Sequence, residues 1–177
     1  MKLVICGHGR HGKDTVGEII RELTGMTFRS SSDICCEHAV FPTLSAKYGY
    51  KTLEECYADR VNHREEWFNL IVAYNTPDLA KLGRIILTQY NMYIGLRNID
   101  ELIAMKSEGL VDYTIWVDGS KRHPPEPDTS CTITSGDADY IIDNNGALAQ
   151  LNSNIAKVFW TIYKDKFPSA PSISKPE

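Results

Sequence analysis

A glycine-rich loop that directly follows a short apolar segment limits what this chain can fold into more than any other feature. The apolar segment, residues 3–6, predicts a buried strand. The nine residues from Gly7 to Thr15, Gly-His-Gly-Arg-His-Gly-Lys-Asp-Thr, match the pattern G-x-x-x-x-G-K. Glycine lets the backbone curl so that successive N–H groups point inward, and the helix that follows adds its positive N-terminus. The segment therefore predicts a phosphate-binding loop between a strand and a helix.

The loop also indicates which residues would bind a nucleotide and its metal ion. Lys13 supplies a positive charge for the β- and γ-phosphates, so we expect ATP as the phosphate donor and Mg²⁺ with it. Asp14 stands where a Ser or Thr hydroxyl usually binds the metal, which leaves two alternatives for Mg²⁺: Asp14, directly or through water, or Thr15. The residues expected to bind the nucleotide here are Gly7, His8, Gly9, Arg10, His11, Gly12, Lys13, Asp14 and Thr15.

Two absences in the sequence narrow the class of phosphate-binding protein. The N-K-x-D motif by which GTPases read guanine does not occur. An ATPase motor normally ends a strand with an acidic residue, whereas the third predicted strand leads into Gly95-Leu96-Arg97-Asn98. A chain of 177 residues has room for one α/β domain and little additional machinery. Together these features favour a phosphotransferase, a kinase of small or nucleotide-like acceptors.

Apolar segments with strand and helix spacing alternate along the chain, which favours a parallel sheet covered on both faces. The prediction is a three-layer α/β P-loop kinase fold with a five-stranded parallel sheet flanked by helices. Residues 1–167 are predicted to form one domain, in which residues 113–136 provide the fourth strand and a short lid-like loop. The tail, residues 168–177, is rich in Pro and Ser and is expected to be disordered.

Charge and cysteine content bear on partners and location. The net charge of −4 provides no basic field for long stretches of nucleic acid. No run of 18 apolar residues is present, so no membrane partner is expected. The five cysteines are scattered, which indicates reduced thiols in a cytoplasmic protein, most of them in the core. His8 and His11 have no further ligand at matching spacing, so no structural metal is expected.

Three segments resemble a known family. They are Gly-x-Gly-Arg-x-Gly-Lys-Asp-Thr-Val at 7–16, Gly-Leu-Arg-Asn-x-x-Glu at 95–101, and Ala-Asp-Tyr-Ile-Ile-Asp-Asn-Asn-Gly at 138–146. They are similar to the deoxynucleoside monophosphate kinase group of bacteriophages, related to thymidylate kinases. Within that group they most resemble the 5-hydroxymethyl-deoxyuridine DNA kinases, and the resemblance covers about residues 1 to 160.

The resemblance implies an activity that composition and spacing do not report. It implies transfer of the γ-phosphate of ATP to the 5-hydroxymethyl group of 5-hydroxymethyl-deoxyuridine in phage DNA, a step toward hypermodified thymidines in the host cytoplasm. One alternative is a deoxynucleoside monophosphate kinase acting on free nucleotides. A second alternative, from a different class, is a nucleotide-binding regulator without turnover.

The resemblance also implies roles for residues outside the loop. Asp33, after the second predicted strand, would be the general base for a hydroxyl acceptor, although a helix N-cap is an equal alternative. Arg97 would bind the acceptor or the transferred phosphate, and Arg122, with Lys121, would reach the nucleotide from the lid. Lys13, Asp33, Arg97 and Arg122 are therefore the catalytic candidates. Asn144, Asn145 and Gly146 would form the adenine loop.

Further residues carry alternatives that the sequence leaves open. Arg60, His63 and Arg64 would clamp an acceptor phosphate or form a solvated face. Asp118 would hold Mg²⁺ or shape a turn. Glu101 is expected to complete a helix cap with Asn98. The aromatic residues considered for stacking an acceptor base, against the alternative of core packing, are Tyr48, Tyr50 and Trp67.

Overall fold

The computed structural model, which describes residues 1–127 and 130–166, contains a parallel sheet of five strands. Its strands are β1 (Leu3–Cys6), β2 (Phe28–Ser30), β3 (Met92–Ile94), β4 (Tyr113–Asp118) and β5 (Tyr140–Asp143). The order across the sheet is β2-β3-β1-β4-β5, and every neighbouring pair is parallel. The predicted five-stranded parallel α/β fold is confirmed. The tail predicted at 168–177 lies outside the described residues.

Eight α-helices connect and cover the strands of the described residues. They are α1 (Lys13–Thr24), α2 (Ser31–Cys35), α3 (Phe41–Tyr48), α4 (Leu53–Ala58), α5 (Arg64–Asn75), α6 (Lys81–Gln89), α7 (Ile99–Ser107) and α8 (Leu148–Lys166). A π-helical turn, Cys36–Val40, joins α2 to α3. Two 3₁₀ turns, Asp59–Asn62 and Ser135–Asp137, precede α5 and β5. No described helix combines the length and apolar character needed to cross a membrane.

Successive side chains of β1 point to opposite faces of the sheet, so helices pack on both faces and the fold has three layers. Leu3 and Ile5 pack on one face of the sheet, in a cluster that includes residues of α1 and α8. Val4 and Cys6 point to the opposite face and pack with α2, α6 and α7. All four side chains are fully buried, and burial of an aliphatic side chain of this size contributes about 1.5–3 kcal/mol. The central strand is therefore held from both faces, which fixes the position of the loop that follows it.

A third cluster lies among α2 to α5 and includes Cys36, Val40, Leu44 and Trp67. These helices follow β2, and α2 and α5 form part of the wall of the larger cavity described below. All five cysteines are free and buried, so the prediction that most of them lie in the core is confirmed. Burial raises the pKa of the Cys6 thiol to about 12, so this side chain stays a thiol at neutral pH.

One helix start that the sequence predicts is wrong. The sequence places Pro77 at the first position of a helix, but α6 begins at Lys81. The reason is that the buried Asn75, at the end of α5, accepts a hydrogen bond from the Leu82 N–H at 3.3 Å. A donor of the first turn of α6 is therefore satisfied from the preceding helix, and residues 76–80 form the connection.

Candidate functional site

The loop between β1 and α1 is shaped by its glycines. Gly7 has a φ of 144°, and a Cβ there would lie 2.7 Å from the carbonyl oxygen of Val117 in the neighbouring strand. Gly12 is left-handed, with a φ of 87°, and forms the N-cap of α1. A side chain at Gly12 would also collide with the side-chain amide of Asn144. Both positions require glycine, and together they place the loop at the N-terminus of α1.

Lys13, the first residue of α1, is held over the loop. Its Nζ donates hydrogen bonds to the carbonyl oxygens of Gly7 and His8 at 2.9 and 2.7 Å. Burial lowers the pKa of Lys13, and the positive charge of Arg97 lowers it further. A buried ammonium group near a second cation favours an anionic ligand, because an anion would offset both costs. Lys13 is therefore placed for the phosphate contact that the motif predicts.

The two loop histidines connect the loop to the segment after β4. The Gly119 N–H donates to Nδ1 of His11 at 3.1 Å, so the proton is on Nε2, which lies 3.2 Å from the His123 carbonyl oxygen. His8 Nδ1 accepts a hydrogen bond from the Glu126 N–H at 3.3 Å. Burial lowers the pKa of His8, and the neighbouring His11 lowers it further. Both rings therefore connect the loop to residues 119–126.

A cavity of about 260 Å³ adjoins the loop beside α8. It brings together residues that the sequence assigns separately to the loop, the lid and the adenine segment: Arg10, Gly12, Thr15, Arg122, Asn144 and Gly146. Asn144 is buried, and its Nδ2 donates to the carbonyl oxygen of His11 at 2.9 Å. Asp14 is exposed in the first turn of α1 and directly precedes Thr15, which lines this cavity. The volume and the mixed polar lining suit part of a nucleotide.

The carboxylate of Asp118 shapes the turn after β4. It accepts hydrogen bonds from the Ser120 N–H at 3.0 Å and from Nδ2 of Asn145 at 3.1 Å. Burial alone would raise the pKa of Asp118, but these hydrogen bonds outweigh it and hold the pKa below its usual value. Asn145 also accepts the Lys121 N–H at 2.8 Å, while the Lys121 side chain is exposed. Of the predicted lid cations, Arg122 lines the smaller cavity and Lys121 does not.

A second cavity, of about 650 Å³, lies between the sheet edge, α5 and α7. Three arginines line it. Arg60 donates to the Ser32 hydroxyl at 2.9 Å, and its guanidinium lies 5.0 Å from the centre of the Trp67 ring. Arg64 is exposed at the start of α5, and Arg97 follows β3. The three arginines bring positive charge to the cavity, and at the loop end Arg97 is paired with Glu126.

Apolar side chains form the other part of this cavity. Phe68 and Val72 lie one turn apart on α5 and are 62% and 45% exposed, although both line the cavity. Trp67 contributes to the wall but is 2% exposed, so packing dominates its role. His63 instead stacks on Tyr48 at 4.2 Å and pairs with Asp59, which also accepts a hydrogen bond from Tyr50. Of the three residues considered for binding an acceptor phosphate, Arg60 and Arg64 line the cavity and His63 does not.

Glu101 lines the larger cavity and takes no part in the cap of α7, so the predicted cap is right for Asn98 and wrong for Glu101. Asn98 forms the cap by accepting the Asp100 N–H at 2.8 Å, whereas Glu101 accepts a hydrogen bond from Nδ2 of Asn75 at 3.1 Å. Asn75 is committed to this orientation because its Oδ1 accepts the Leu82 N–H. Burial raises the pKa of Glu101, and the hydrogen bond from Asn75 opposes the shift.

Asp33 lies within α2, is half-buried, and lines neither cavity. The alternative that Asp33 is a helix N-cap is wrong, because Ser30 holds that position and accepts the Ser32 N–H at 3.2 Å. The role of Asp33 as a general base stays a prediction. Ser31 and Ser32, which precede it, do line the larger cavity.

Sequence reasoning missed Glu126, which connects the loop to the larger cavity. Its carboxylate accepts a hydrogen bond from the Gly9 N–H at 2.6 Å and forms an ion pair with Nη1 of Arg97 at 2.8 Å. Burial alone would raise the pKa of Glu126, but the Arg97 and Gly9 hydrogen bonds outweigh it and hold the pKa below its usual value. A single Glu after two prolines carries no spacing signal, so the sequence could not identify it.

Comparisons with known proteins agree with the fold. No protein-family model matches the chain, and a search of curated proteins finds no significant match. Among solved structures, the chain is similar to a gluconokinase from Sinorhizobium meliloti 1021, with a TM-score of 0.51 and 15% sequence identity. The match covers 96% of this chain and 97% of that one. At this identity the likeness shows a shared fold and nothing finer.

Proposed function

We propose that this chain is an ATP-dependent kinase that phosphorylates the 5-hydroxymethyl group of deoxyuridine in phage DNA. The observation that carries the proposal is that one phosphate-binding loop adjoins two separate cavities. The smaller cavity contains Asn144 and Arg122, which the family resemblance assigns to the nucleotide. The larger contains three arginines and exposed apolar side chains. A donor nucleotide and an acceptor nucleotide would meet at the loop.

The donor side suits ATP with Mg²⁺. The Gly9 N–H already binds an anionic oxygen, the carboxylate of Glu126, so a loop amide is oriented for a phosphate oxygen. The Lys13 ammonium group lies over the same loop, where it contacts the Gly7 carbonyl oxygen. Asp14 or Thr15 would hold the metal from the first turn of α1. ATP bound here would supply the phosphoryl group. The protein would then stabilise the charge of the transfer through Lys13, the loop amides and Arg122.

The acceptor side suits a nucleotide better than a small polyhydroxy acid. Phe68 and Val72 offer an apolar surface for a base, whereas a sugar acid would leave this surface in contact with polar groups. Arg60 and Arg64 offer cations for backbone phosphates. A cavity of about 650 Å³ has the size of a small-molecule site, so DNA would enter as one extruded nucleotide rather than as a duplex.

A second candidate acceptor is a free deoxynucleoside monophosphate. The observation that favours it is the set of three arginines, since Arg60, Arg64 and Arg97 would bind a terminal phosphate as well as a backbone phosphate. The two acceptors differ chemically in that a hydroxyl must lose a proton during transfer and an ionised phosphate need not.

The test supplies the protein with ATP labelled at the γ-phosphate and three acceptors in separate reactions. These are DNA containing 5-hydroxymethyluracil, the same DNA with thymine, and mixed free deoxynucleoside monophosphates. We expect label on the modified DNA alone, and none with Lys13→Ala. Label on the monophosphates alone would favour the second candidate. Nucleotide binding without any transfer would indicate a regulator and would contradict both kinase proposals.

A further inference from the structure

Glu126 is the carboxylate that meets both the phosphate loop and the larger cavity, among the residues that the structure describes. Its Oε2 accepts the Gly9 N–H at 2.6 Å, and both carboxylate oxygens lie within 2.9 Å of Nη1 of Arg97. A Cβ built on Gly9 would lie 2.9 Å from Oε1. The carboxylate is therefore next to the loop backbone at the place where the cavity and the phosphate site join.

Two other carboxylates, Asp33 and Glu101, are placed less well for work on an acceptor. Asp33 lines neither cavity. Glu101 lines the larger cavity, but it is held by Asn75 and has no hydrogen bond to the phosphate loop. A general base must lie within hydrogen-bond reach of the hydroxyl that attacks the γ-phosphate. That hydroxyl would approach from the larger cavity, so Glu126 best meets the requirement.

We propose that Glu126 is the general base for a hydroxyl acceptor, an inference that rests on the proposed function. In the transfer, the acceptor O–H gives its proton to a carboxylate oxygen of Glu126. The acceptor oxygen forms a bond to the γ-phosphorus of ATP, and the bond from that phosphorus to the β–γ bridging oxygen breaks. ADP leaves with the electron pair of the broken bond. Arg97, which now pairs with Glu126, would turn to the transferring phosphoryl group.

The electrostatic surroundings of Glu126 keep it in the ionised form, which a general base requires. Arg97, Lys13, His8 and Cys131 are the titratable or charged groups that interact with it. The hydrogen bond from Arg97 holds the pKa of Glu126 below its usual value despite partial burial. The carboxylate is therefore ionised at neutral pH and able to accept a proton.

The experiment compares Glu126→Gln with the wild type on 5-hydroxymethyluracil DNA, at saturating ATP and across pH. The amide retains an oxygen to accept the Gly9 N–H but loses the basicity, so turnover should fall by roughly 10²-fold or more. ATP affinity, measured by calorimetry without acceptor, should stay the same or rise, since a neutral amide competes less than a carboxylate with a phosphate oxygen for the Gly9 N–H. Glu22→Gln, which removes an exposed carboxylate on α1 remote from both cavities, is the matched control and should keep full turnover.

Each outcome separates this inference from the function on which it rests. Normal turnover in Glu126→Gln, with tighter ATP binding, would mean that the carboxylate only competes with phosphate at the loop. That result would contradict the role of Glu126 as general base. A loss confined to Asp33→Asn in the same assay would assign the base to Asp33 instead. If the wild type labels free monophosphates alone, the proposed acceptor fails, and the base fails with it because an ionised phosphate needs none. Circular dichroism checks folding, and Glu126→Asp, which keeps the carboxylate, should recover part of the rate.

Discussion

Asn144 donates a hydrogen bond from Nδ2 to the carbonyl oxygen of His11 at 2.9 Å, which connects the segment after β5 to the phosphate loop in the interior. Asn144 is 5% exposed, so water does not readily replace this donor. The same amide occupies the space that a side chain at Gly12 would need. The segment after β5 and the loop therefore support each other, although they are 133 residues apart in sequence.

The first prediction is that Asn144→Ala destabilises the protein and weakens ATP binding. Loss of a buried donor should lower the free energy of unfolding by about 1–3 kcal/mol. Urea unfolding monitored by tryptophan fluorescence measures the change, and calorimetry measures the ATP affinity. Asn152→Ala, which truncates an exposed asparagine on α8, should change neither quantity. Equal effects of the two substitutions would show that the contact with His11 contributes nothing.

The second prediction is that Lys13→Ala reduces turnover by at least about 10²-fold, the scale of losing one strong electrostatic donor to the transition state. Lys13 contributes its charge to the loop, and its present partners are backbone carbonyls that water could satisfy in the variant. Removal of a partly buried cation whose pKa is lowered should not destabilise the fold strongly. Steady-state kinetics and a thermal melt test both statements. A folded variant with near-normal turnover would contradict the catalytic role of the loop.

The extent to which the sequence predicts the structure depends on how local the signal is. The phosphate loop and the strand before it follow from adjacent residues, and the alternation of apolar segments is enough for a parallel sheet. Glu101 was misassigned because its partner, Asn75, lies 26 residues away, and no local pattern reports that contact. Glu126 was missed for the same reason, since it meets Gly9 across 117 residues. The spacing of residues along the sequence does not report contacts that form only when distant segments fold together.

The third prediction concerns the metal. Asp14 is exposed at the N-terminus of α1, at the position where the motif usually has a hydroxyl. If its carboxylate holds Mg²⁺, Asp14→Ser should remain active but reach half-maximal rate at a different Mg²⁺ concentration. A titration of rate against Mg²⁺ at fixed ATP measures the shift, and Thr15→Val tests the alternative ligand. An unchanged titration in Asp14→Ser would exclude Asp14 from the metal site.

The fourth prediction concerns pH and Glu101. Burial raises the pKa of Glu101 above its unfolded value, so the folded state binds the proton more tightly than the unfolded state. This contribution to stability is present at acid pH and is lost as pH rises from the unfolded pKa through the folded pKa. Glu101→Gln keeps an oxygen for Asn75 but does not titrate. Its unfolding midpoint in urea should therefore fall less than that of the wild type between pH 4 and pH 8, and parallel curves would contradict the prediction.

The fifth prediction tests the larger cavity as the acceptor site. Arg64 is exposed at the start of α5 and lines this cavity, so it should contact the acceptor and not ATP. Loss of one hydrogen bond to a charged group is worth about 1.5–3 kcal/mol, which corresponds to roughly a 10- to 100-fold rise in the acceptor KM of Arg64→Gln. The KM for ATP should be unchanged, because the interaction lost is with the acceptor alone.

The matched control for Arg64→Gln is Arg21→Gln, which removes an exposed arginine from α1 whose ion-pair partner is Glu18 on the same helix. Arg21 lines neither cavity, so both KM values should stay at wild-type levels. Raising the salt concentration should weaken acceptor binding by the wild type more than by Arg64→Gln, since the variant has one fewer cation to pair with a phosphate. An acceptor KM that rises equally in both variants would reflect the net charge of the protein. In that case the arginines of the larger cavity would not be the acceptor site.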